Sequence, residues 1–147
     1  MAEFLNRLVD ETLVLTGPHP IAREWSSEYC QHILPGSAEG RKPDIILVDK
    51  ETPKDWRNVL TLAEMKLQSV DPKSPAWYDE VAKRANTLYT SQDSRSFAIT
   101  LQFVGNQFSF VVFDCGGSVC FDMLGIDEDS KEYLRLVLFF SLADRGA

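Results

Sequence analysis

Asp44, Glu64 and Lys66 are the residues of this chain whose types and spacing suit chemistry. Asp44 stands at the head of the apolar run "DIILV", and Glu64 and Lys66 lie two apart in "VLTLAEMKL". Side chains of an extended strand alternate between faces, so Glu64 and Lys66 share one. If the two runs pair side by side, Asp44 and Glu64 converge. Two carboxylates completed by waters or carbonyls suit Mg²⁺ or Mn²⁺, which take oxygen ligands. A lysine beside them can orient or deprotonate a metal-bound water, or steady a developing negative charge. Phosphodiester hydrolysis needs those parts. The plainer reading is a strand-edge carboxylate at Asp44 and a solvated Glu64–Lys66 pair worth a few tenths of a kcal/mol. Against it, both acids adjoin strongly apolar runs, where an uncompensated carboxylate is costly.

The elements that must position these residues follow from periodicity. Residues 3–15 place Phe4, Leu5, Leu8, Leu13 and Leu15 at helical spacing, and "TGPHP" ends the pattern. Residues 21–33 read as a second helix, with Ile21, Trp25, Tyr29 and Ile33 recurring near i, i+4, i+8. "DIILV" reads as a buried strand. "VLTLAEMKL" alternates as a second strand, with Leu60, Leu62, Glu64 and Lys66 on one face and Val59, Thr61, Ala63, Met65 and Leu67 on the other. Ser74-Pro75 starts a helix over 75–90, striped by Trp77, Val81, Arg84 or Ala85, and Leu88. Three strand-like runs follow, "SFAITLQFV", "QFSFVVFD" and "SVCFDML", with "GN" at 105–106 and "GG" at 116–117 as hairpin signals. A last helix begins at Asp129 or Ser130 and carries Tyr133, Leu134, Val137, Leu138 and Leu142 on its apolar face. The order is α-α-β-β-α-β-β-β-α, an α/β (α+β) domain with a single mixed sheet flanked by helices.

Bulk properties narrow the function classes. A chain of 147 residues fits one domain with a real core, and 44% hydrophobic with 25% charged residues is ordinary for a globular protein. A net charge of −7 and a pI near 4.8 disfavour broad binding to nucleic acid, leaving only a local basic groove open to it. Cys30, Cys115 and Cys120 do not form a disulfide framework, and without a CxxC pair a structural zinc site is not expected. No apolar run approaches the roughly 18 residues of a membrane span. The start "MAEFLNRLVDE" is acidic and amphipathic, unlike a signal peptide, so a cytoplasmic or nuclear setting is expected.

Pro43-Asp44 followed by Glu64-Met65-Lys66 resembles the motif of the PD-(D/E)XK nuclease fold, and the helix–strand order around it agrees. That resemblance implies a metal site on Asp44 and Glu64, completed by an acid from the first helix. Glu11, Glu24 and Glu28 are the candidates; Gln68 also matches a residue type common in that position. A second resemblance covers residues 42–147 and is more specific. Pro43, Asp44, Glu64, Lys66, Gln92, Arg95, Phe97, Phe113, Asp114 and Gly117 match the region preceding the kinase domain of fungal-type protein kinases, although Cys115 stands where an arginine is usual. The sharper reading of Gln92 and Arg95 has them line the same cleft and contact phosphate or a carboxylate; the plainer one makes them a helix cap and a dipole partner. Trp56, in the polar connection, is the tryptophan expected nearest a ligand. The chain has no glycine-rich phosphate loop, no His-Arg-Asp and no Asp-Phe-Gly, so no phosphorylation is expected of it alone. It reads as a fragment of a larger kinase-like protein. The first expectation is a non-catalytic regulatory or interaction module that docks a downstream kinase-like domain or another protein. The second is a Mg²⁺-dependent phosphodiesterase using Asp44, Glu64 and Lys66. The last helix, apolar around most of its circumference, is expected to dimerise or to dock a partner.

Overall fold

A computed structural model of the chain describes residues 1–20 and 22–143. Its elements are α1 (Ala2–Thr16), β1 (Arg23–Ser26), β2 (Ile45–Asp49), a 3-10 turn (Trp56–Asn58), β3 (Thr61–Lys66), α2 (Pro75–Ser91), β4 (Phe97–Val104), β5 (Gln107–Asp114), β6 (Gly117–Cys120), β7 (Leu124–Gly125) and α3 (Ser130–Leu142). The strands form one open mixed sheet in the order β1-β2-β3-β4-β5-β6, with β7 also on β5. Among the described strands only β3 and β4 run parallel, and α2 is their crossover. The class is α+β, as expected.

The centre of the sheet is buried on both sides, and β2 shows why its sequence is apolar throughout. Ile46 and Val48 point into a core built with Trp77, Val81, Ala85 and Leu88 of α2. Ile45 and Leu47 point into a second core with Leu5 of α1 and Tyr133, Val137 and Phe140 of α3. Alternate residues of one strand thus serve two helical layers, and a one-residue slip would exchange them.

The second helix expected over 21–33 does not form. Arg23–Ser26 is instead an edge strand antiparallel to β2, and Trp25 pairs with Leu47. Period two wins because β2 offers unmet backbone partners there. Trp25 also gains a buried indole N–H···Oγ bond to Ser141 of α3 at 2.9 Å, and its backbone N–H donates to Asn6 Oδ1 at 2.8 Å. Ile33, which the helical reading placed on an apolar face, is exposed.

Three smaller corrections concern turns and faces. β3 begins at Thr61, so Val59 and Leu60 escape its alternation: Val59 joins the α2 core and Leu60 packs against the other. The second hairpin turns on Cys115-Gly116, because Asp114 pairs with Gly117. The run after it splits into β6 and the short β7, both antiparallel to β5. The first hairpin turns on Gly105-Asn106 as expected, between paired Val104 and Gln107. There Gly105 has φ 60°, and a Cβ would meet Gln68 Cβ at 2.8 Å.

Candidate functional site

The strand pairing brings the acids and the lysine together. Ile45 pairs with Ala63, so the register continued by one residue sets Asp44 opposite Glu64. Asp44 stands just outside β2, and its Oδ2 accepts the Met65 backbone N–H at 2.7 Å. Glu64 and Lys66 extend from β3 on the side facing α2. That helix supplies two groups whose part was not foreseen, Glu80 and Arg84, spaced i, i+4 so that both reach the sheet. Arg84 Nε lies 2.9 Å from Glu64 Oε1, and Lys66 Nζ lies 2.9 Å from Glu80 Oε1. Lys66 also sits 5.7 Å from the centre of the Trp77 ring, a cation–π distance. The signal for Glu80 was its place one turn before Arg84, beside the apolar stripe.

A polar row crosses the sheet from Glu64. Gln102 pairs with Glu64 across the parallel strands, and Ser109 pairs with Gln102. Gln102 Oε1 accepts the Trp77 indole N–H at 2.6 Å, and Ser109 Oγ donates to the Phe121 carbonyl at 2.6 Å. Three aligned polar residues inside a sheet are tolerated because each has a fixed partner.

Glu64 is the buried centre of this cluster. It is 1% exposed, and its second oxygen, Oε2, has no hydrogen-bond partner. Burial pushes its pKa up from 4.5 to about 7; Arg84 pulls it back down, and the charge of Asp44 adds to the rise. Lys66 moves the other way from a proton acceptor's need. Its bond to Glu80 raises its pKa, so it holds its proton more firmly than a free lysine.

The other expected residues lie elsewhere. Gln92 caps the C-terminus of α2, and its Nε2 donates to the carbonyls of Trp56 and Val59 at 2.7 and 2.8 Å. Arg95 donates to Gln92 Oε1 at 3.0 Å and to the carbonyls of Val59 and Leu60 at 2.7 and 3.1 Å. Both therefore bind the backbone that leads into β3, at the opposite end of that strand from Lys66. Trp56 is a core residue with no exposure. Gln68 is exposed beside Gly105. Glu24 and Glu28 share Lys54 at 3.2 and 2.9 Å, and Glu11 pairs with Arg7 on α1 at 2.9 Å. None of these three acids is bonded into the cluster around Glu64.

A hard dication does not fit this donor set as it stands. Among the described residues no three metal-ligating side chains group together. The near oxygens of Asp44, Glu64 and Glu80 already accept from a backbone N–H, a guanidinium and an ammonium. A bound ion would have to displace Arg84 from Glu64 and lie beside two cations. Among the described residues, no helix is long and apolar enough to cross a membrane, and all three cysteines are exposed and free.

No curated protein and no solved structure matches the chain. Residues 42–147 match the family model described as fungal protein kinase. The matched span begins just before Asp44 and β2 and takes in both sides of the acid–lysine cluster, the Gln92–Arg95 clamp and the hairpin at Asp114. By that match over most of its length, the chain belongs to the fungal protein kinase family.

Proposed function

We propose that this chain is a non-catalytic regulatory or interaction module of a fungal-type kinase. In this reading a PD-(D/E)XK-like core keeps the acid–lysine motif as an ion-pair network that joins α2 to the sheet, and the module docks a kinase catalytic region or another protein. A cytoplasmic or nuclear setting belongs to the same proposal, supported by the three unpaired cysteines. The observation that carries it is the Glu64–Arg84 pair at 2.9 Å: the acid most suited to a metal is buried against a guanidinium. The raised pKa of Lys66 points the same way, since a general base works best with its pKa brought near the operating pH.

The second reading, a Mg²⁺-dependent phosphodiesterase, has one observation on its side. Glu64 Oε2 is buried without a partner, and Asp44 is close enough to raise the pKa of Glu64. Asp44 and Glu64 would hold the ion, which would supply Lewis-acid chemistry at a phosphate. Calorimetric titration with Mg²⁺ and Mn²⁺, run with a cleavage assay on single- and double-stranded DNA and RNA, separates the two. The module reading expects no saturable heat and no cleavage. Saturable binding that Glu64→Ala abolishes, with cleavage that Lys66→Ala abolishes, would replace it with the second.

A further inference from the structure

A groove of about 520 Å³ opens between the starts of β3 and β4 and the last turn of α3, at the end of the sheet opposite Lys66. Its walls are mostly apolar. Phe97 and Phe139 stand 54% and 60% exposed on it, although neither serves a core, and Ile99 of β4 also lines it. Exposed aromatic rings facing one cavity are unusual unless something covers them.

Among the described residues, the charged part of the groove is of one sign: Arg23, Arg57 and Arg95 line it and no described acidic side chain does, in a chain whose net charge is −7. Each guanidinium is held in place. Arg23 donates to the Phe140 carbonyl at 2.7 Å, satisfying the C-terminal end of α3. Arg95 is fixed on the Val59 and Leu60 carbonyls. Arg57 forks onto Asp55 through Nε and Nη2 at 2.9 and 2.7 Å, which leaves Nη1 for another acceptor; its side chain is 70% exposed. Asp55 and Asp49 bond Arg57 and Arg23 from outside the lining. A fixed guanidinium with one N–H group left for a ligand, above apolar walls in a cavity of this size, describes a site for a small molecule.

We propose that this groove binds a small amphipathic carboxylate. Its aromatic or alkyl body lies against Phe97, Ile99 and Phe139, and its carboxylate accepts from Arg57 at the rim. The site is separate from the acid–lysine cluster and stands or falls without it. The test is an NMR titration of the whole chain with 4-phenylbutyrate and with its neutral amide. The carboxylate should saturate and shift resonances of Phe97, Ile99 and Phe139, and the amide should bind at least about tenfold more weakly, as expected for loss of a charge-assisted bond. Arg57→Gln should reduce carboxylate affinity about tenfold and leave amide affinity unchanged; Phe139→Ser should weaken both ligands. Arg57→Gln gives up two bonds to the buried Asp55 and should melt lower, so an otherwise unchanged amide spectrum is what confirms that each variant folds. Equal affinity for acid and amide, no saturation by either, or indifference to Arg57→Gln overturns the proposal. So does saturation of the groove by an acidic aromatic peptide where 4-phenylbutyrate fails.

Discussion

Glu64 is held in an environment that half-opposes its charge. Arg84 favours the ionised form, while burial and Asp44 favour the protonated one, and the balance lifts its pKa from 4.5 to about 7. The consequence for stability has a definite sign. Between those values the folded chain binds a proton that the unfolded chain has released, so stability falls as pH rises from about 4.5 to about 7 and is level beyond. Each pKa unit is worth 1.36 kcal/mol, so over the whole window this one residue makes a difference on the order of 3 kcal/mol. Glu64→Gln keeps the shape and cannot ionise. Urea unfolding at pH 5 and pH 8 should show the variant gaining on the wild type by roughly that amount at the higher pH. A difference that does not change with pH would mean that Glu64 stays charged in the folded chain. Asp44 and Glu64 were readable as a pair because strand alternation and strand pairing are local rules. Arg84 was not readable as the partner, since only the crossover of α2 over β3 brings it there.

At the scale of elements, the path from β2 to β3 is held by α2 and the segment after it rather than by its own regular structure. Gln92 and Arg95 bind the carbonyls of Trp56, Val59 and Leu60, in a stretch that holds Trp56 and Val59 fully buried. Gln92→Ala removes both bonds from Nε2 and the acceptor that orients Arg95. At about 1 kcal/mol per bond, the loss should be about 2 kcal/mol, measurable as a lower urea midpoint with unchanged slope. A cost under about 0.5 kcal/mol, the usual range for a surface position, would show that the clamp is not structural. The same elements show where sequence reasoning reached its limit. The long runs of β4, β5 and α2 were legible because each repeats its period over at least eight residues. β1 has four residues, too few to show period two, while Ile21, Trp25, Tyr29 and Ile33 imitate a helical stripe. Two of the three candidate acids, Glu24 and Glu28, fell in the expected second helix that does not form: Glu24 sits on an edge strand and shares Lys54 with Glu28.

Taken as a whole molecule, the chain is acidic, and its basic residues are largely spent on internal bonds. Arg84, Lys66, Lys54 and Arg57 each face a carboxylate of the same chain. Binding to a polynucleotide should therefore be absent: fluorescence anisotropy of labelled single- and double-stranded DNA should not rise with protein near physiological salt. A saturable rise that weakens steeply with added salt would contradict this. The two cores on either side of the sheet carry a further consequence. The three tryptophans are divided between them, Trp25 against α3, and Trp56 and Trp77 beside α2. Intrinsic fluorescence is therefore addressed by layer. A chain keeping only Trp25 reads the release of α3, whereas one keeping only Trp77 senses the ammonium above its ring and reads the acid–lysine cluster directly.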